Sequence, residues 1–276
     1  MSNQEEQVIV KTGKVKVNDI NMYYEIHGDG FPLVMIHGFA ANLDWWPLYL
    51  IDEVSKNFKT LFFDNRGAGR TDKPDIEYSI KGMADDTLGL MDALNIERAH
   101  VLGISMGGFI AQELVLNYPE RIEKLVLCST MCGGAKAIPI PPKATQIIMR
   151  DREGLSQEEI IQNWIPILFS EDFIKNNPEF IEDFIRRALI APIPPYSAKR
   201  QLYRSEQRSP ARRLKKVNTP TLVLHGKKDI ICTPQNAEIL AKLIPEAKAS
   251  IFDNIGHLIF SEAPEIVVKT LLDFLK

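Results

Sequence analysis

The sequence predicts an α/β protein: a mostly parallel, eight-stranded sheet with helices on both faces and an inserted helical segment. Over residues 1–132, short apolar runs without polar interruption alternate with helical patterns. Between residues 133 and 213 only helical patterns occur, and from residue 214 the strand–helix alternation resumes. These observations divide the chain into a sheet core of residues 1–132 and 214–276 and an α-helical cap of residues 133–213. Because the sheet pattern resumes after the insertion, the cap reads as an excursion from one core and not as an independent domain.

Val15-Lys16-Val17 and Met22-Tyr23-Tyr24-Glu25-Ile26 read as two strands joined near Asn18 and Asn21, an antiparallel entry to the sheet. Leu33-Val34-Met35-Ile36, Thr60-Leu61-Phe62-Phe63, His100 to Ile104 and Lys124 to Cys128 are nearly continuous apolar runs, as a strand covered on both faces requires. A helix with three/four spacing runs through Ile80, Met83, Ala84, Thr87, Leu88, Met91 and Leu94, with Ser79 as its N-cap. Another runs from about Ser105 to Asn117 and stops before Pro119. In the insertion, Ser156 and Glu159 make a capping box, and Asn177-Pro178 opens a helix carrying Phe180, Ile181, Phe184 and Ile185. Eight of the chain's 17 prolines lie in this stretch and keep its helices short. Pro220 to His225 and Lys248 to Phe252 close the sheet, with helices from Gln235 to Leu243 and Pro264 to Leu275.

The chain has 276 residues, 33 Lys+Arg against 36 Asp+Glu, and 45% hydrophobic residues. That apolar content supports a sizeable core and excludes global disorder. The near-neutral balance gives no support to a nucleic-acid partner. Three irregularly spaced cysteines, Cys128, Cys132 and Cys232, are neither a disulfide framework nor a zinc quartet. The polar start, Met1 to Glu6, lacks the basic and apolar regions of a signal peptide, and no apolar run approaches the roughly 18 residues that would span a bilayer. The expectation is a cytoplasmic protein without a membrane partner. The motifs of phosphate loops, dinucleotide folds and zinc proteases are missing, so neither a cofactor nor a metal is expected.

Gly103-Ile104-Ser105-Met106-Gly107-Gly108 sits where an apolar strand meets a helix. Alone, G-x-S-x-G recurs by chance. On a strand–turn–helix corner it has a mechanical meaning: the serine is held in a strained, positive-φ turn, and the crowded positions two before and two after must be glycine. The following helix points its amides at the same spot, favouring developing negative charge. Here the chain resembles the α/β-hydrolase family over nearly its whole length. The matching segments are His37-Gly38-Phe39, Asp64 to Gly69, residues 103–108, His225-Gly226-Lys227-Lys228-Asp229 and Gly256-His257, in the family's order.

A serine hydroxyl needs an adjacent base to act as a nucleophile at neutral pH. Of five histidines, His257 follows the last strand on a loop at the carboxyl edge of the sheet, where the base must come from. His27 ends an early strand, His100 begins a strand at the wrong edge, and His225 is expected to be structural. The resemblance implies that His37 holds the loop it lies on. Asp229 follows the strand 220–225 and supplies the acid, in the chain order Ser105, Asp229, His257 that this fold uses. Asp253 is its rival, four residues before His257. The loop Cys128-Ser129-Thr130-Met131, which carries the acid in some relatives, has none. The oxyanion donors expected are the backbone amides of Phe39 and Met106.

Asp64 to Gly69 reads as a structural turn in which Asp64 and Arg66 pair. Trp45 and Trp46 are read as the start of a helix; one of them is a candidate pocket wall, with helix packing as the alternative. Trp164, Phe169, Phe173, Phe180 and Phe184 exceed what small helices bury among themselves; they line an apolar pocket over Ser105 or fill the insertion's own core. Lys199 to Lys216 carries eight basic residues against one acid, Glu206, and reads as a solvated helix face, with a docking patch for an anionic carrier as the alternative.

The function expected is a serine hydrolase that cleaves carboxylic esters or lactones, small molecules, through an acyl-enzyme. Serine at 105 argues against the haloalkane dehalogenases and epoxide hydrolases, which resemble it but use aspartate there. His37 to Asn42 lacks the Gly-Pro-Gly stretch of proline iminopeptidases and many carbon–carbon bond hydrolases, which argues against those too. Small esterases, enol-lactonases similar to 3-oxoadipate enol-lactonase, and cofactor-free haloperoxidase-like perhydrolases remain. A hydrolase-fold receptor for a small ligand, with little turnover, is the alternative from another class.

Overall fold

The computed structural model describes residues 10–205 and 211–276. The N-terminal stretch Met1 to Glu6, and Glu206 and Arg208 of the basic tract, lie outside the described residues. Eight strands form one sheet: β1 (Val10–Val17), β2 (Ile20–His27), β3 (Phe31–Ile36), β4 (Phe58–Phe63), β5 (Ala99–Ile104), β6 (Ile122–Cys128), β7 (Thr221–Gly226) and β8 (Lys248–Phe252). Their order is β1-β2-β4-β3-β5-β6-β7-β8. β1 and β2 pair antiparallel, as do β2 and β4; every later pair is parallel.

The helices are α1 (Leu48–Ser55), α2 (Ile80–Ala93), α3 (Met106–Asn117), α4 (Pro142–Ile148), α5 (Gln157–Leu168), α6 (Glu171–Asn176), α7 (Pro178–Ala188), α8 (Pro195–Ser205), α9 (Gln235–Leu243), α10 (Ile259–Glu262) and α11 (Pro264–Leu275). Ser79 caps α2 by accepting a hydrogen bond from Gly82 N at 2.9 Å. At α5, Ser156 and Glu159 close a reciprocal capping box. Helices α4 to α8 all lie between β6 and β7. Among the described residues, no helix is long and apolar enough to cross a membrane.

The strand period of two separates the core into two layers. Leu33, Met35, Phe62, Leu102, Val126 and Leu224 pack on one face, against α1, α11 and the inserted helices. Val34, Ile36, Leu61, Val101, Leu127 and Val223 pack on the other, against α2, α3 and α9. Each such side chain, fully withdrawn from water, contributes about 1.5–3 kcal/mol.

Two expectations are corrected. Trp45 and Trp46 do not start a helix: Leu43–Trp45 is a single 3-10 turn capped by Asn42, and α1 begins at Leu48, after Pro47. Arg66 does not pair with Asp64. Its guanidinium forks onto Asp86 (2.6 and 2.7 Å) and Asp19 (2.7 and 3.0 Å). The Asp64 carboxylate instead accepts from the amides of Leu43 (2.7 Å) and Arg70 (2.6 Å), tying the turn after β4 to the segment after β3.

Between β5 and α3 the backbone has no room for side chains. A Cβ on Gly103 would lie 2.2 Å from the Gly107 carbonyl oxygen, and one on Gly107 would lie 2.1 Å from that of Ile36. Both clashes are with backbone, so a side chain there can be accommodated only by moving the sheet edge. Gly107→Ala is therefore expected to cost about 1–3 kcal/mol or more, read as a lowered urea midpoint; an unchanged midpoint would refute this account of the corner.

Candidate active site

Ser105 occupies the corner itself, with φ 56° and ψ −119°, a region a non-glycine residue enters only when its surroundings impose it. The imposition is visible. Ser105 N donates to Cys128 O (2.9 Å), and Thr130 Oγ1 donates to Ser105 O (2.8 Å). Met106 is the first residue of α3, so its N–H belongs to the helix-start amides that lack an intrahelical acceptor.

The loop after β3 lies against this corner. A Cβ on Gly38 would stand 3.0 Å from the Ser105 Cβ and 3.5 Å from its Oγ. Gly38 N donates to His37 Nδ1 at 2.7 Å, and the His37 carbonyl accepts from Asn65 Nδ2 at 3.0 Å. Burial, with the nearby His257 charge, drives the His37 pKa down to about 3, so its ring stays neutral and keeps accepting from Gly38. Ala40, at φ 56°, donates its N–H to Gln201 Oε1 (2.9 Å), and Gln201 Nε2 donates to Arg66 O (2.9 Å). Gln201 comes from α8, so an inserted helix holds the Phe39 loop. The sequence shows no signal for this, because its partners are backbone groups more than 130 residues away.

His257 and Asp229 meet. His257 Nδ1 lies 2.7 Å from Asp229 Oδ2, and both residues are buried. Asp229 Oδ1 accepts from Ile231 N (2.8 Å) and Cys232 N (3.0 Å). Burial on its own would raise this carboxyl's pKa. The His257 charge and hydrogen bonds from His225 and His257 outweigh it and bring the value to about 2, so the group is a carboxylate at any working pH. Asp253 is not its competitor: it lies exposed and pairs with Lys227 at 2.8 Å. His225 sits closer to the chemistry than expected. Its Nε2 lies 3.3 Å from Asp229 Oδ2 and donates to the Cys232 carbonyl. Its place four residues before Asp229 was the available signal.

The loop bearing His257 is clamped from both sides. Ser129 Oγ donates to the His257 carbonyl at 2.7 Å. The Leu168 carbonyl, at the end of α5, accepts from both His257 N and Leu258 N at 3.1 Å. Glu262 accepts from Gly256 N (2.9 Å) and Ser170 N (3.0 Å).

Ser105 and His257 line one cavity of about 350 Å³, within the range of small-molecule sites. No hydrogen bond joins their side chains. Phe39, Met106, Trp45 and Trp164 line the same cavity. Phe169 and Phe184 do not. They are buried beside it, Phe169 stacked on Phe173 and Phe184 edge-on to Trp45, filling the core under the inserted helices. Among the described residues, no cluster of three or more His, Cys, Asp or Glu side chains is placed to hold a metal ion.

A strained serine at a β–α corner of a mostly parallel eight-stranded sheet agrees with the family comparison, in which the profile described as alpha/beta hydrolase fold matches residues 32–264. The chain belongs to the α/β hydrolase fold family. Its coarse class is thus that of a hydrolase. Among similar proteins, a poly(3-hydroxyalkanoate) depolymerase of Ectopseudomonas oleovorans is 30% identical, over 89% of this chain and 84% of its own. A 2-hydroxymuconate semialdehyde hydrolase of Pseudomonas sp. (strain CF600) is 29% identical, over 83% and 81%. Among solved structures, a thermophilic esterase from Thermogutta terrifontis superposes with a TM-score of 0.83 at 29% identity, covering 96% of this hydrolase and 98% of that chain. The semialdehyde hydrolase and the esterase are thus equally similar to this hydrolase in overall identity.

Proposed function

We propose that this hydrolase cleaves carboxylic esters, lactones included, by a Ser-His-Asp mechanism under an α-helical cap formed by residues 133–213. The observation that carries this reading is the 2.7 Å contact of His257 Nδ1 with Asp229 Oδ2, in a loop system that opens on the same cavity as Ser105. With Nδ1–H held by the carboxylate, Nε2 is the free base. Ser105 Oγ attacks the ester carbonyl as His257 Nε2 takes its proton. The amides of Phe39 and Met106 bind the oxyanion; losing one such donor typically costs on the order of 10²–10³ in rate. The imidazolium then protonates the leaving alcohol, which departs and leaves Ser105 acylated. Water, deprotonated by His257, releases the acid and restores the serine. The mostly apolar cavity accommodates the methylenes of an acyl chain next to the scissile carbonyl, and the similarity to a depolymerase and an esterase supports an ester as the scissile group.

A fluorophosphonate probe is expected to abolish turnover of short p-nitrophenyl esters with one equivalent bound, and peptide mass spectrometry is expected to find the adduct on Ser105. Steady turnover with no adduct at Ser105 would overturn the assignment. A single stoichiometric burst without further turnover would favour a ligand receptor on the same fold.

A further inference from the structure

Arg152, in the turn before α5, has no role in the cycle above. It is only 9% exposed, yet its guanidinium makes no hydrogen bond or ion pair with a described residue, and its Nη2 is buried without a partner. The guanidinium carbon lies 5.2 Å from the ring centroid of Phe39 and 5.2 Å from that of Trp164. Two aromatic faces attract a cation, but they cannot satisfy its N–H donors. Burial lowers the group's pKa only to about 10, so it is still charged at neutral pH.

Its position adds to this. Arg152 lines a second cavity of about 920 Å³, which shares Phe39, Ile148, Met149 and Leu202 with the cavity over Ser105. The other charged residues around that second cavity, Arg150, Asp151, Glu153 and Lys199, are all exposed and screened by water. The buried charge beside the shared wall is therefore positive, and it is paired with no described residue.

We propose that Arg152 binds a carboxylate carried at the far end of the acyl group, so that the preferred substrates are half-esters of dicarboxylic acids. This rests on the serine-hydrolase reading above. The scissile carbonyl sits at Ser105, the methylenes pass the apolar wall of Phe39 and Ile148, and the free carboxylate meets the guanidinium fork, whose planar donors match a carboxylate's two oxygens. The bond broken is the ester C–O bond. Water supplies the hydroxyl of the released acid and the proton of the released alcohol, and the distal carboxylate is unchanged.

The test compares mono-p-nitrophenyl esters of dicarboxylic acids, from glutarate to suberate, with neutral p-nitrophenyl alkanoates of equal length. For at least one length the wild type is expected to favour the anionic member in kcat/KM. Arg152→Gln is expected to reduce that anionic-over-neutral preference by roughly 10–100-fold, and Arg152→Lys to reduce it less. A second readout needs no turnover: in Ser105→Ala protein, calorimetric binding of the tightest-binding half-ester of the series is expected to weaken when Arg152→Gln is added. Equal losses on anionic and neutral esters, or binding unaffected by Arg152→Gln, would overturn the proposal and leave the arginine as a brace between Phe39 and Trp164. Failure of the wild type to turn over either ester series would strike the serine-hydrolase reading instead, while the calorimetric arm still decides Arg152.

Discussion

Ser105→Ala is expected to lower kcat for p-nitrophenyl ester hydrolysis by about 10⁴-fold or more while leaving the melting temperature nearly unchanged. The two halves of this expectation have separate causes. The strained φ of 56° at the corner is imposed by the sheet, by Cys128 O and by Thr130, none of which contacts the hydroxyl, so alanine adopts the same backbone. The proposed nucleophile is nevertheless gone, and water in its place lacks the position that the proposed cycle gives the hydroxyl. A residual rate above that of buffer is expected if the Phe39 and Met106 amides bind the oxyanion as proposed. Undiminished activity in carefully separated variant protein would refute the nucleophile.

Asp229→Asn is expected to lower kcat by about 10⁴-fold with little change in cavity shape. Asparagine is nearly isosteric, and its amide oxygen can keep the bonds from Ile231 N and Cys232 N. The amide nitrogen then faces His257 Nδ1, and a donor in that place requires the ring to carry its proton on Nε2, the atom that accepts from Ser105 in the proposed cycle. Adding Ser105→Ala to Asp229→Asn is expected to cost little beyond the worse single variant, because the two act as a unit. Stability gives an independent check. The Asp229 pKa is depressed from 3.8 to about 2 in the folded chain, so the carboxylate contributes stability that is fully present above its unfolded value and is lost as pH falls through about 2. Urea melts are expected to show Asp229→Asn less stable than wild type at neutral pH, with the gap closing over that acid range. A gap that persists unchanged to pH 2 would mean that its source is not the ionised carboxylate.

The strand and helix pattern was legible because burial on two faces leaves an unbroken apolar run and a one-sided helix leaves a three/four period. Ser79 and Ser156 are local caps that act within three residues, and a sequence displays such partners directly. The meeting of Asp229 and His257 was legible for another reason: in a parallel sheet, loops after successive strands emerge at one edge, so residues far apart in sequence share a rim. What escaped depends on long-range side-chain partners. Arg66 chose Asp19 and Asp86 over the adjacent Asp64, since Asp64 is already occupied by two backbone amides. Ser129, Thr130 and Gln201 bond to backbone groups of distant loops, which leaves no residue pattern to read. The cap aromatics were separable only after docking: periodicity marks Phe184 as buried, but whether it meets cavity or core depends on how α7 sits on Trp45.

The Leu168 carbonyl and the Glu262 carboxylate moor the α5–α6 corner to the very loop that carries His257. Any opening at that corner would drag the imidazole away from Asp229. The inserted helices and the imidazole's loop are thus stitched into one piece, and a disturbance of either is felt by the other.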